Sequence, residues 1–325
     1  MQDATFTPLR PRTASLGLAA WCLAIGCFVI SDRSPAFADG LSIDCCTPVD
    51  FSDGGRQVTQ GYYAQIDLTQ ATIVIPSLSN SVTCTEPARG RNALESVAPN
   101  QFGGRPTWQD EASYQATLMI NANFFDVSDG RNPYTDACTN GLGLTVSNGI
   151  VVSADSEVHD QPTETLVFFT PDYERQVGRA ATIVSGAQTT YPTQIQNAVS
   201  GYRLLKDGVA LEQPGAIEPD CPLPRTAAGL TRDGNTLLVI VISPGDNTCA
   251  STGGATLPGL AAYLLDLGAW DALTLDGGGS SQLYFRPPGQ APVASLPSDA
   301  WGGAPGNWPP DTKFYRPVPI FLGFR

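Results

Sequence analysis

Histidine is almost missing from this chain: His159 is the only one in 325 residues. That excludes multi-histidine metal centres and leaves most ester and amide hydrolase mechanisms without their usual base. Positive charge is scarce as well. Lys+Arg 18 against Asp+Glu 31 gives a formal charge of −13, which excludes a general binder of nucleic acid or anionic lipid. No C-x-x-C spacing occurs, and no loop has EF-hand spacing, so the cysteines and acids do not form a recognisable metal-binding pattern. No metal and no cofactor is expected.

What is present is a turn-rich globular composition. With 42% hydrophobic residues the chain is too apolar to be disordered, and with Gly 33 and Pro 27 it is too rich in breakers for a helical bundle. The first forty residues read as an address. Arg10 and Arg12 precede an apolar run from about Ala14 to Ile30, and Ala36-Phe37-Ala38 supplies a small-residue cleavage site. Residues 1–38 are therefore expected to be a secretory signal peptide, with an uncleaved N-terminal anchor as the alternative. A secreted or periplasmic location follows. The mature chain carries a net charge of −14 and six cysteines: Cys45, Cys46, Cys84, Cys138, Cys221 and Cys249. In an exported chain these read as up to three disulfides. Adjacent Cys45 and Cys46 are expected to take different partners, because a bond between neighbours strains the link.

Residues 39–60 form a polar, turn-rich N-terminal arm ahead of a single catalytic-type domain over 61–325. Strands are expected in Tyr62–Ile75 (two, or a hairpin), Ala116–Asn121, Thr165–Phe169, Ala181–Val184, Thr236–Ile242, Ala272–Leu275, Gln282–Phe285 and Val318–Phe324. Ser147-Asn148-Gly149 marks a hairpin within Leu144–Val152. Leu257, Leu260, Ala261, Leu264 and Leu265 make the stripe of one amphipathic helix that Gly268 stops. Arg286–Arg316, rich in Pro, Gly and Trp, reads as surface loop. Many strands and few helices predict an α+β fold with a mixed β-sheet core.

Three segments carry chemistry. Asp276-Gly277-Gly278-Gly279-Ser280-Ser281 joins two apolar strands; its glycines let backbone approach a ligand, and successive N–H groups there can make an anion-binding nest. A plain glycine-rich hairpin loop is the bland alternative. Asn121-Ala122-Asn123-Phe124-Phe125-Asp126 offers carboxamides and rings suited to a sugar, or simply a capped strand end over core phenylalanines. Pro224-Arg225-Thr226-Ala227-Ala228-Gly229 places a guanidinium, well matched to phosphate, in an acidic chain.

Together with Val199–Gly208 and the Leu267-Gly268-Ala269 lead into Asp276, these motifs resemble the phosphodiester glycosidase family over about residues 60–325. Ala122 and Asn123 stand where that family commonly has glycines. The resemblance implies hydrolysis of the anomeric bond of a sugar-1-phosphodiester, releasing sugar and a phosphomonoester. It implies Asp276, Arg225 and Asn121 as catalytic residues, and Asn123, Gly277, Gly278, Gly279, Ser280 and Thr226 as substrate-binding residues. The expected partner is a sugar-phosphate or polysaccharide substrate of the cell envelope. Glycoside cleavage normally uses two carboxyl groups. Asp276 is the first candidate, with Asp126 or Glu164 as the second. Two other readings stay open: a non-catalytic binder of envelope exopolysaccharide, using Trp270, Trp301 and Trp308, and a glycosidase acting on glycosides without phosphate.

Overall fold

The computed structural model describes residues 42–75, 94–95, 116–126, 138–155, 157–158, 161–212, 218–243, 249, 253–298, 316 and 318–325. The signal-peptide segment, His159, Cys84, Trp301 and Trp308 lie outside the described residues.

Strand Thr236–Ile242 explains the architecture. All seven of its residues are buried, because the strand has cover on both faces. Leu237, Val239 and Val241 point into one core, and Leu238, Ile240 and Ile242 into another. It lies inside an antiparallel sheet whose strands run, in spatial order, Ile43–Pro48, Gly61–Asp67, Thr236–Ile242, Arg225–Leu230, Asp271–Thr274, Ile195–Lys206, Thr145–Ser147 and Ile150–Ser153. Glu164–Phe169 also pairs with Ile195–Lys206 and carries Ala181–Val184 on its other edge. A second sheet, in the order Val293–Ala294, Leu283–Phe285, Leu118–Asn121, Phe321–Phe324 and Ile73–Val74, faces the first core with Leu118, Ile120, Leu283 and Leu322. Helix Leu257–Asp266 closes the second core with Leu257, Leu260, Ala261 and Leu264.

The α+β class holds: the described chain is mostly sheet, with three α-helices. Among the described residues the strand pairings are antiparallel, where a mixed core was expected. Hairpin Thr145–Ser147 to Ile150–Ser153 turns on Asn148 and Gly149, both at positive φ (50° and 78°), as its asparagine–glycine pair requires. Tyr62–Ile75 resolves into two strands, Gly61–Asp67 and Ile73–Val74, in different sheets rather than one hairpin.

One expected kind of bond is present, a disulfide between Cys221 and Cys249, and three features depart from the sequence reading. Cys45 and Cys46 are bonded to each other: the peptide between them is cis and the Cα atoms are 3.1 Å apart. The expected N-terminal arm adds strand Ile43–Pro48 to the edge of the main sheet, and its Phe51–Asp53 and Arg56–Val58 hairpin reaches the helix. There Asp53, 4% exposed, accepts from the Thr256 amide (2.8 Å) and hydroxyl (2.7 Å), while Thr256 Oγ1 caps Gly259 N at 3.0 Å. Finally, strand Ile195–Lys206 had no periodic signature, since Asn197, Ser200 and Gly201 interrupt its apolar pattern. Those residues have reasons to be polar or small. Ser200 Oγ donates to Leu144 O at 2.9 Å, and a Cβ on Gly201 would come within 2.2 Å of the Thr274 carbonyl oxygen.

Candidate active site

Strands Arg225–Leu230 and Asp271–Thr274 are antiparallel neighbours, with Ala227 opposite Thr274. The start of one therefore lies beside the end of the other, and Arg225 and Asp276 meet at the same edge of the sheet. A cavity of about 230 Å³ opens there, lined by Asp276, Gly277, Gly278, Gly279, Arg225, Glu218, Arg316, Thr274, Tyr202 and Phe124, among others.

The backbone of Asp276 is fixed on both sides. Its N–H donates to Ala122 O at 2.9 Å, and its carbonyl accepts from Asn121 Nδ2 at 2.6 Å. Its carboxylate Oδ1 accepts from the Gly277 amide at 2.9 Å. Gly278 follows at φ 56°, a left-handed conformation that glycine adopts without a Cβ clash, and its amide donates to Pro224 O. A short 3₁₀ turn, Gly278–Ser280, then leads to strand Leu283–Phe285. Four amides of the expected nest, those of Gly277, Gly278, Ser280 and Ser281, are thus taken up within the protein.

Arg225 is 4% exposed. Its Nε donates to Ala255 O (3.2 Å), and its Nη2 donates to Glu218 O (2.7 Å) and Cys221 O (3.1 Å). Burial pulls its pKa down to about 10, against the opposing pull of the Glu218 and Asp53 carboxylates, so it is cationic at neutral pH. Tyr202, with its ring edge on Phe124 at 5.2 Å, is pushed up to about 12 by burial and keeps its proton.

The remaining expected site residues lie behind this wall. Asn121 is fully buried; its Oδ1 accepts from Thr226 Oγ1 (2.7 Å) and from Gln282 N (3.1 Å), so its amide ties three segments together behind Asp276. Asn123, 1% exposed, donates to the carbonyls of Leu142 and Leu144. Thr226 and Ser280 are fully buried as well. Glu164 is turned toward Arg203, at 2.7 Å, and Ser185, and is not part of the cavity lining. The side chain of Asp126 lies outside the described residues.

Sequence reasoning missed Glu218 and Arg316. Nothing in the pattern marked Glu218, which has a positive φ of 43° and a carbonyl held by Arg225. Scarcity of cations was a usable signal for Arg316, but the residue stood in a segment read as surface loop. Among the described residues, the acidic side chains lining the cavity are Asp276 and Glu218. Glu218 also lies close to Cys221 and Cys249, but both sulfurs are in a disulfide and do not complete a metal-ligand set.

The family model for phosphodiester glycosidase matches residues 114–325. A search of the curated proteins finds no match. Among solved structures, the chain is similar to the zebrafish N-acetylglucosamine-1-phosphodiester alpha-N-acetylglucosaminidase catalytic domain auto-inhibited by its pro-peptide, with 17% identity and a TM-score of 0.56 over 88% of this chain and 84% of that one. A hypothetical protein from Synechocystis matches with 14% identity and a TM-score of 0.44, over 85% of this chain and 61% of that one. Among the described residues no helix is long and apolar enough to cross a membrane.

Proposed function

Because the chain belongs to the phosphodiester glycosidase family, we propose that it hydrolyses the anomeric bond of a sugar-1-phosphodiester, releasing free sugar and a phosphomonoester. One observation carries this reading: a single cavity is lined by Asp276, whose backbone is held on both sides, and by two arginines, Arg225 and Arg316. That is the pairing a reaction needs when positive charge develops on a sugar carbon while a phosphate departs.

In this mechanism a water molecule attacks the anomeric carbon. The bond from that carbon to the phosphate oxygen breaks, and its electron pair leaves with the phosphate. Asp276 takes the proton that the water loses. A phosphate ester leaves as an anion, so little protonation of the leaving group is needed, and the cationic wall stabilises it. At about 230 Å³ the cavity lies below the ~300 Å³ at which drug-sized sites begin, which suits one sugar ring with the rest of the diester outside. Phe124 supplies an apolar face for such a ring, beside the protonated Tyr202. Asn121 and Asn123 act as supports for the loop and strand, a reassignment from direct sugar contact that follows from their burial and hydrogen bonds. The bond between Cys221 and Cys249 supports an exported protein, in keeping with the leader read from the sequence.

The test uses the mature chain with its disulfides formed, incubated with methyl phosphodiesters of several sugar-1-phosphates while sugar and methyl phosphate are followed by mass spectrometry. The wild type should release both, and Asp276→Asn should lower kcat by about a thousandfold or more, as expected for removing a catalytic base. Equal turnover by the variant would sink the role given to Asp276. Absence of turnover on every diester would favour the polysaccharide-binding alternative.

A further inference from the structure

Helix Leu257–Asp266 has two features at its start that its own stability does not explain. Its cap is already local, since Thr256 Oγ1 accepts from Gly259 N at 3.0 Å. Yet a carboxylate from the N-terminal arm is brought to the same turn. Asp53, 4% exposed, accepts from Thr256 N (2.8 Å), Thr256 Oγ1 (2.7 Å) and Arg56 Nη2 (2.9 Å). The second feature is Gly259, a poor helix former inside the first turn. A Cβ there would come within 2.3 Å of Asp53 Oδ1, so the glycine admits the carboxylate to the positive end of the helix. The turn held in this way is part of the cavity wall. Ala255 exchanges both backbone hydrogen bonds with Leu223, at 2.9 and 3.2 Å, and its carbonyl also accepts from Arg225 Nε at 3.2 Å. Leu257 N donates to Pro219 O at 2.8 Å. Glu218, Leu223, Arg225 and Leu257 all line the cavity. Asp53 acts on Arg225 through space as well: burial lowers the guanidinium pKa, and the Glu218 and Asp53 carboxylates oppose that fall.

We propose that Asp53 is a positioning residue for the reaction: its buried carboxylate sets where the helix begins and, through Ala255 and Leu257, sets the cavity wall that Glu218, Leu223 and Arg225 form. The arm thereby belongs to the site, although it precedes residues 114–325, the part that matches the family model. The kinetic consequence rests on the phosphodiester reading; the link from arm to wall does not. A local cap holds a helix together, but a group from outside the helix is needed to fix its start against the rest of the fold. The opposite side of the cavity is anchored separately, since Asp276 is held by Asn121 and Ala122. Loss of Asp53 therefore loosens the binding wall and leaves the base in place.

The experiment compares the disulfide-bonded wild type with Asp53→Asn, which removes the charge, and Gly259→Ala, which keeps the charge and displaces it. Steady-state kcat and KM are measured on a methyl phosphodiester of a sugar-1-phosphate, well below the thermal midpoints. Hydrogen exchange is followed by mass spectrometry on the same proteins. Losing charged hydrogen bonds at the helix start should lower kcat/KM by about ten- to hundredfold, through KM more than kcat. The segments around Leu223 and Ala255 should exchange faster in both variants, while those around Ile120 and Leu275 keep the wild-type rate. Alanine for glycine inside a helix ordinarily stabilises it, so Gly259→Ala should melt below the wild type because it unseats Asp53. If Asp53→Asn does not fold, Gly259→Ala carries the comparison. Folded variants with wild-type kcat and KM, or with wild-type exchange at the wall, overturn the proposal. A wild type that cleaves no diester, with exchange at the wall still raised in the variants, upholds the link from arm to wall and sinks the hydrolase reading.

Discussion

Replacing Arg225 by lysine tests whether this side chain is a structural clamp. The guanidinium is 4% exposed and donates from Nε and Nη2 to Ala255 O, Glu218 O and Cys221 O at 3.2, 2.7 and 3.1 Å. A lysine ammonium cannot reach carbonyls on both sides of a planar fork, so at least one of these carbonyls is left without its donor. Hydrogen bonds to a charged group contribute roughly 1.5–3 kcal/mol each, and breaking one side of a buried charged cluster costs about 3–5 kcal/mol. For a domain of this size each kcal/mol moves the melting point by about 2–4 °C, so Arg225→Lys should melt roughly 6–20 °C below the wild type. Differential scanning calorimetry of the disulfide-bonded protein measures this directly. Limited proteolysis should then reveal new cleavage near Glu218–Leu223, because the carbonyls of Glu218 and Cys221 have lost their tie. A variant that melts with the wild type, yet shows a raised KM for the diester, would refute the clamp and return Arg225 to the phosphate.

Asn121→Ala should lower stability by roughly 2–4 kcal/mol, since it removes the ties to Asp276 O, Thr226 Oγ1 and Gln282 N from a fully buried position. It should also reduce kcat by about a hundredfold with little change in KM, because the base is misplaced while the binding wall remains; calorimetry and steady-state kinetics check the two halves separately. Tyr202 should be among the last tyrosines to ionise in an alkaline titration followed by phenolate absorbance, because burial raises it from 10.0 to about 12. A phenol whose pKa is raised on folding adds stability that is complete below pH 10 and is lost as pH climbs toward 12. Tyr202→Phe should remove that slope, and an identical pH–stability curve for the two proteins would contradict it.

The sheet core was readable because burial on both faces writes itself into composition. Leu237–Ile242 is an unbroken apolar run, and Leu257 to Leu265 repeats at the helical period. Strand Ile195–Lys206 was not readable, because its identity depends on partners distant in sequence: Ser200 is polar to meet Leu144 O and Thr165 Oγ1, and Gly201 is small to admit Thr274 O. Local pattern cannot express such pairings.

The same division runs through the site. Asp276 and its glycines were legible because close backbone approach demands glycine wherever it occurs, and Gly278 indeed takes a positive φ. Roles were less legible than positions. An asparagine facing a sugar and an asparagine tying three segments together behind a base present the same letter, and only the burial of Asn121 and its three partners separates them. Arginine carries the same ambiguity. Arg225 drew notice through a motif and proves to be directed at carbonyls, while Arg316, without one, reaches the cavity through Gln282 and Ser280. In an acidic chain with so few cations, the letter alone marks an arginine of the cavity wall, and the role of Arg225 is told by the three main-chain carbonyls its nitrogens touch, the pattern of a side chain that shapes the cavity.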